Sequence, residues 1–157
     1  MSFFQSIIAN EIIIAACSSW LIAQIMKTLI FLIVNKEFRL ERMVGDGGMP
    51  SCHSATVCAL AVSTGLRVGF DSAIFAVAFI LAIIVMHDAM GVRLETGKQA
   101  KIINDIIQEF MKIGVSLKSM SAEERLKEFV GHTGSQVFVG GLIGCCVAIL
   151  EHFLFYI

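Results

Sequence analysis

Charge is what this chain has least of. Asp, Glu, Lys and Arg together make up 16% of 157 residues, against 57% hydrophobic, and the mean hydropathy is +0.82. That balance excludes an ordinary soluble domain. The net charge of −1 offers nothing to a nucleic acid. Proline is nearly absent, with Pro50 the only one. Metal-type cysteine spacing is missing too: no pair among Cys17, Cys52, Cys58, Cys145 and Cys146 is spaced as ligands. Their odd number, with four in apolar runs, argues against a disulfide framework. The first apolar run is longer than a secretory signal's core, and no small-residue cleavage site follows it. A chain of this length is expected to form one membrane-embedded domain over 1–157.

What is present is a set of long apolar runs. They predict an all-α fold, a polytopic transmembrane helix bundle of about four spans over 12–34, 51–68, 72–86 and 137–157. The second is short and carries Gly65 and Gly69 as a small-residue pair near its far end. The long loop between spans three and four predicts an amphipathic helix over 95–114. There Ile102, Ile103, Ile106, Ile107, Phe110 and Met111 recur at helical spacing, while Lys101, Asp105 and Glu109 line another face. Such a helix lies on the protein or on the membrane surface. Ser121 and Glu124 form a capping box for a further helix.

Four spans place the loops 35–50 and 93–133 on one side. Ten of the twelve basic residues lie there: Lys36, Arg39, Arg42, Arg93, Lys98, Lys101, Lys112, Lys118, Arg125 and Lys127. The positive-inside rule then puts that face in the cytoplasm, as for an integral protein of a bacterial-type cytoplasmic membrane.

One stretch, 45–56, organises the rest. Gly45, Gly47 and Gly48 permit close or left-handed backbone, Pro50 suits a first helical turn, and Ser51 or Ser54 can cap the helix that follows. His53 stands at its mouth. A helix N-terminus is a ready anion site. Lys27 and Gln24 share one face of span one. A lysine that deep is either a functional group or a snorkelling side chain. The same topology gathers Ser51 and His53, then His87, Asp88 and Arg93, then His132 and Gln136 at one membrane face, with Lys27 in the nearer half of span one. Arginine and lysine bind phosphate oxygens, and two histidines can divide the roles of nucleophile and general acid. On span four, His132, Gln136, Gly140 and Gly144 form a stripe that lets another helix pack close.

The run Pro50-Ser51-Cys52-His53-Ser54-Ala55 resembles the Pro-Ser-x-His motif of the type 2 phosphatidic acid phosphatase superfamily, which includes acid phosphatases and vanadium haloperoxidases. With Gly47-Gly48-Met49 before it, Asp88 to Arg93, Gly97-Lys98-Gln99-Ala100 and Gly131-His132-Thr133, the chain is similar over nearly its full length to the small divergent branch of that superfamily. The resemblance implies that His132 is the nucleophile forming a phosphohistidine, His53 the general acid and Arg93 the phosphate-holding arginine. It implies a phosphate-binding hydroxyl at Ser51 and the first-motif lysine at Lys27. Gly48, Asp88, Lys98 and Gln136 fall in or beside the matching stretches as further substrate-binding candidates.

The chain also departs from the superfamily pattern. Lys36 and Arg42 are followed by Met43, so the lysine to Arg-Pro motif is absent. Arg93 and His132 stand far apart in sequence, and Gln136 replaces the acid that orients the nucleophile. The expectation is a membrane phosphatase acting on a phosphorylated lipid, with no metal and no cofactor. The alternatives are a non-catalytic protein binding phospholipid headgroups and a transporter of a phosphorylated lipid. The expected partners are the membrane, the lipid substrate and a second copy in a homodimer.

Overall fold

A computed structural model describes residues 3–37, 48–113, 126 and 131–155. Arg39, Arg42, Lys118, Arg125, Lys127 and the Ser121–Glu124 capping box lie outside the described residues. Among the described residues every regular element is a helix: α1 (Phe3–Ile8), α2 (Glu11–Asn35), α3 (Cys52–Val68), α4 (Ala73–Met90), α5 (Val92–Lys112) and α6 (Gly134–Phe155).

Local chemistry sets the helix ends. Asn10 Oδ1 accepts from the N–H groups of Ile12 and Ile13 at 3.0 and 3.2 Å and so starts α2. Ser51, rather than Ser54, caps α3, its Oγ accepting from the Ser54 N–H at 3.3 Å. Pro50 therefore sits just before the cap, not in the first helical turn. Gly69, at φ +101°, ends α3, and Ser72 caps α4. The Gly65–Gly69 pair does not serve helix packing as its spacing suggested. A Cβ at Gly65 would strike the Phe70 ring, so that glycine receives the turn's own aromatic side chain.

Contacts at both ends fix the helix directions. Lys27 meets Cys52 at one end of the α2–α3 pair, and Glu11 meets Arg67 at 3.7 Å at the other, so the two run antiparallel. Cys58 and Met86 pair α3 with α4, and Ser18 and Glu151 pair α2 with α6. Helix α6 lies parallel to α3. A Cβ at Gly140 would collide with the carbonyl oxygen of Ser51, and one at Gly144 with that of Ala55. Helix α3 thus packs against α2, α4 and α6 together.

This position explains the composition of α3. Its buried residues are small: Ser54, Ala55, Ala59, Ala61, Ser63, Thr64 and Gly65 among them. Its hydroxyls bond back to their own helix, Ser63 to the Ala59 carbonyl and Thr64 to the Leu60 carbonyl, both at 2.7 Å. Large apolar side chains point outward instead, including Leu21, Ile25, Leu29 and Ile33 on α2 and Val77, Ile80 and Ile84 on α4. Small residues inside and large ones outside is the arrangement for a lipid solvent, where close backbone packing replaces the hydrophobic drive between helices.

Among the described residues three helical stretches are long and apolar enough to cross a membrane: α2, the α4–α5 run and α6. Helix α3 is shorter and more polar, because its neighbours are protein on several sides. The expected count of about four spans is reached only if α3 is included. The amphipathic helix begins earlier than its periodicity suggested, at Val92, one residue after α4 ends.

Replacing Gly141 and Gly144 by alanine separates two effects. Alanine gains about 1 kcal/mol over glycine in a helix, and overpacking a rigid contact costs about 1–3 kcal/mol. At Gly141 the neighbour is the Cys58 sulfur at 3.2 Å, which can move, whereas at Gly144 it is backbone. Gly144→Ala is expected to lower the thermal midpoint in detergent, and Gly141→Ala to leave it near wild type. Equal midpoints for both would contradict the α3–α6 contact.

Candidate anion-binding and catalytic site

The face formed by the end of α2, the start of α3, the end of α4 and the start of α6 carries nearly all the polar residues singled out above. Direct contacts link several of them. Lys27, on α2, is only 3% exposed, and Gln24, one turn earlier, is 5% exposed. Both face the protein interior, so Lys27 does not snorkel. Its stem lies along Gly48, where a Cβ would sit 3.4 Å from Lys27 Cγ, and Gly48 itself has φ +91°. Its Nζ reaches the Cys52 sulfur at 3.7 Å, and that sulfur lies 3.8 Å from His53 Nδ1. A buried ammonium, a histidine and the N-terminus of α3 therefore adjoin one another.

Ser51 joins this group to α6. It is fully buried, and its N–H donates to the Gln136 carbonyl at 3.1 Å. Its Oγ accepts from the N–H and from the hydroxyl of Ser54. Capping is thus the role the contacts give Ser51, and only its own hydroxyl proton is left to donate.

His132 is 2% exposed and stands two residues before α6 rather than on it. Its N–H donates to the Ala89 carbonyl at 3.0 Å, which ties it to the last turn of α4. Its Nδ1 lies 3.2 Å from Gln136 Oε1. The same oxygen accepts the Thr133 N–H at 3.1 Å. Gln136 thus supplies one half of a capping box, reaching back to the N–H of the residue just before α6, while the Thr133 hydroxyl lies 3.0 Å from that of Ser135. A backbone N–H can only donate, so the amide atom facing it must be oxygen. His132 Nδ1, facing that same oxygen, must then carry its proton. In the neutral imidazole the lone pair then lies on Nε2.

Arg93 and Asp88 bridge the α4–α5 junction, with Arg93 Nε 2.6 Å from Asp88 Oδ2. The bond uses the side of the guanidinium and leaves its Nη1–Nη2 end directed elsewhere, the edge that grips a phosphate in bidentate fashion. Gly131 brings the chain just before His132 against the backbone at this arginine. A Cβ there would run into the backbone of Leu94 and Arg93.

Two candidates fall outside this chain of contacts. Lys98 lies on an exposed face of α5, paired with Glu95 at 2.6 Å. His87 is exposed on α4. Two contributors carried no clear sequence signal. Cys52 occupies the unspecified position of the Pro-Ser-x-His run, and Gly131 gave no sign that it meets the start of α5. Among the described residues no group of three His, Cys, Asp or Glu side chains could hold a metal ion.

A family model described as the Divergent PAP2 family matches residues 8–147. The chain belongs to that family. The matched range of this divergent PAP2 protein contains every residue of the site, from Lys27 to Gln136. The chain is also 34% identical to an uncharacterized membrane protein of Bacillus subtilis (strain 168), YuiD, over 96% of its own length and 99% of that protein's. No solved structure matches it. The family, the relative and the three apolar helical stretches identify an integral membrane protein.

The tautomer is directly measurable. With 15N-labelled histidine, His132 is expected to give one protonated Nδ1 and one unprotonated Nε2 near neutral pH. Gln136→Ala should let the two tautomers mix. A wild-type spectrum with the proton on Nε2 would refute the shared-oxygen geometry.

Proposed function

We propose that the protein is a membrane phosphatase that hydrolyses a phosphorylated lipid through a phosphohistidine intermediate. The observation that carries this reading is the Gln136 oxygen shared by the Thr133 N–H and His132 Nδ1, which in the neutral ring puts the lone pair on Nε2, the atom a nucleophilic histidine would use. Lys27, Arg93 and the N-terminus of α3, on the same face, support the reading, since a phosphoryl group requires such cations and N–H groups.

In this reading Nε2 attacks phosphorus and the bond from phosphorus to the lipid oxygen breaks. His53, in its protonated form, gives its proton to the departing oxygen. Lys27, Arg93 and the first N–H groups of α3 hold the charge on the remaining phosphate oxygens. Asp88 orients Arg93, and Ser51 and Gly48 shape the wall beside Lys27. Water then attacks phosphorus, passes a proton to His53, and the phosphorus–nitrogen bond breaks to release phosphate.

A second reading, headgroup binding without turnover, is favoured by Gln136 itself. An amide orients the ring but does not stabilise an imidazolium as a carboxylate does. Phosphate release from lipid phosphates by the purified, reconstituted protein separates the two. Release should be lost in His132→Ala and Arg93→Ala with thermal midpoints unchanged. Gln136→Ala should lower turnover about 10-fold or more, the scale of a lost general acid–base contribution. Gln136→Glu should keep activity. It should also move the acidic limb of the pH–rate profile upward, because a carboxylate raises the histidine's pKa and a protonated ring cannot attack. Superimposable profiles for all three proteins would remove the orienting role.

The site is assigned to the cytoplasmic side on the distribution of basic residues. A cysteine replacing exposed Lys101, in a background without the native cysteines, should resist a membrane-impermeant thiol reagent in intact cells. It should react once the cells are permeabilised. Labelling of intact cells would reverse the orientation.

A further inference from the structure

Helix α5 has three sectors, set by its rotation of about 100° per residue. Gly97, Ala100 and Asn104 form a buried sector. Asn104 fixes that sector to the returning chain, its amide nitrogen donating to the Leu126 carbonyl and its oxygen accepting from the Leu126 N–H, at 3.0 and 3.1 Å. Lys98, Lys101, Asp105, Glu109 and Lys112 form a charged sector on one flank. The third sector is exposed and, from Ile102 onward, apolar: Ile102, Ile103, Ile106 and Phe110 are 59%, 44%, 50% and 41% exposed. Nearer the start of the helix exposed Glu95 and Gln99 share it with Val92. Ile113, just past the helix, continues it. A contiguous apolar face of this size needs a cover.

We propose that this sector of α5 docks on the lipid surface of the leaflet from which α4 emerges. Three observations favour lipid. First, α5 starts one residue after α4, across Gly91, so it begins at the level where the apolar run leaves the membrane. Second, Ile80, Ile83, Ile84 and Met90 on α4 are outward-facing and apolar, and they lead to Val92, so the first turn of α5 adjoins a surface already facing lipid on the side where Ile102, Ile106 and Phe110 follow. Third, two of the three lysines on the charged flank are paired within α5, Lys98 with Glu95 and Lys112 with Glu109, both at 2.6 Å. That flank is therefore built for water and headgroups, and has little charge to offer a second copy. A helix laid with its apolar sector down and its lysines at headgroup level matches the physics of an interfacial helix.

The chain has one tryptophan, Trp20, so a Trp20→Phe background makes fluorescence site-specific. Ile106→Trp, Phe110→Trp and Asp105→Trp are compared in the full-length protein reconstituted in phosphatidylcholine–phosphatidylglycerol vesicles. Lipids brominated near the headgroup end of the acyl chain serve as the membrane quencher, and iodide as the aqueous one. The expected result is loss of Ile106→Trp emission to brominated lipid with little loss to iodide, and the reverse for Asp105→Trp. Phe110→Trp should behave as Ile106→Trp does, and decides the matter if that variant does not fold. Iodide quenching at the apolar positions would overturn the proposal. So would protection from both quenchers, which marks contact with protein, or equal lipid quenching at all three positions, which removes the sectors. The readout does not depend on turnover.

Discussion

The contact on which the rest depends is the close approach of α6 to α3. It exists because Gly140 and Gly144 carry no side chain where the Ser51 and Ala55 carbonyls lie. Between such backbones dispersion acts over a long seam, which is what a helix pair in lipid has in place of a hydrophobic drive. The seam also sets a register. With Gly140 opposite Ser51, the Gln136 carbonyl one turn earlier falls on the Ser51 N–H. The N-terminal ends of α3 and α6 are thereby brought level at one face of the bundle.

Parallel neighbours of this kind cannot be joined by a short turn. The chain must return the length of the bundle before α6 begins. The return through α4 alone meets that requirement, since the His132 N–H just before α6 bonds the Ala89 carbonyl in the last turn of α4. Helix α5 and the rest of the long third loop are an insertion at this face, and the site uses its two ends. Arg93 comes from the start of the loop and His132 from its end. Gly131 lets the two ends meet by removing a side chain from the Leu94 backbone. The wide sequence gap between Arg93 and His132 is closed by one glycine contact and by the His132 N–H bond to Ala89.

Much of this was legible in the sequence, for physical reasons. Apolar length located α2, α4 and α6, and the period-four stripe from His132 to Gly144 announced a close helix neighbour. Span counting gathered Lys27, His53, Arg93 and His132 at one face. Other features were not legible. The Gly65–Gly69 spacing mimics a packing motif, yet the first glycine makes room for Phe70 and the second ends a helix. Ser18 and Glu151 meet at 2.6 Å across α2 and α6, far from the site, and nothing local in either helix indicates the pairing. Lys98 sits in a matching stretch but faces away, because a match in sequence order does not fix the rotation of α5. Helix α3 is understated by hydropathy, since a helix lined by protein can afford serine and threonine.

Gln136 unites the local and the catalytic arguments. In a capping box the last position takes glutamate or glutamine, because either supplies an oxygen to the N-cap N–H. The geometry that starts α6 therefore accepts an acid and an amide alike. The difference between them falls on His132. A carboxylate favours the protonated ring, and an amide favours neither ring charge strongly while still fixing the tautomer. A nucleophilic imidazole must be neutral, so the amide keeps the reactive form available at the cost of weaker support for charge that develops on the ring. Under the proposed reaction that support comes from the phosphate itself, held between a deep cation, Lys27 at 3% exposed, and Arg93 toward solvent. In that reaction an amide at this position would move electrostatic work from the histidine's partner to the cations proposed to hold the phosphate.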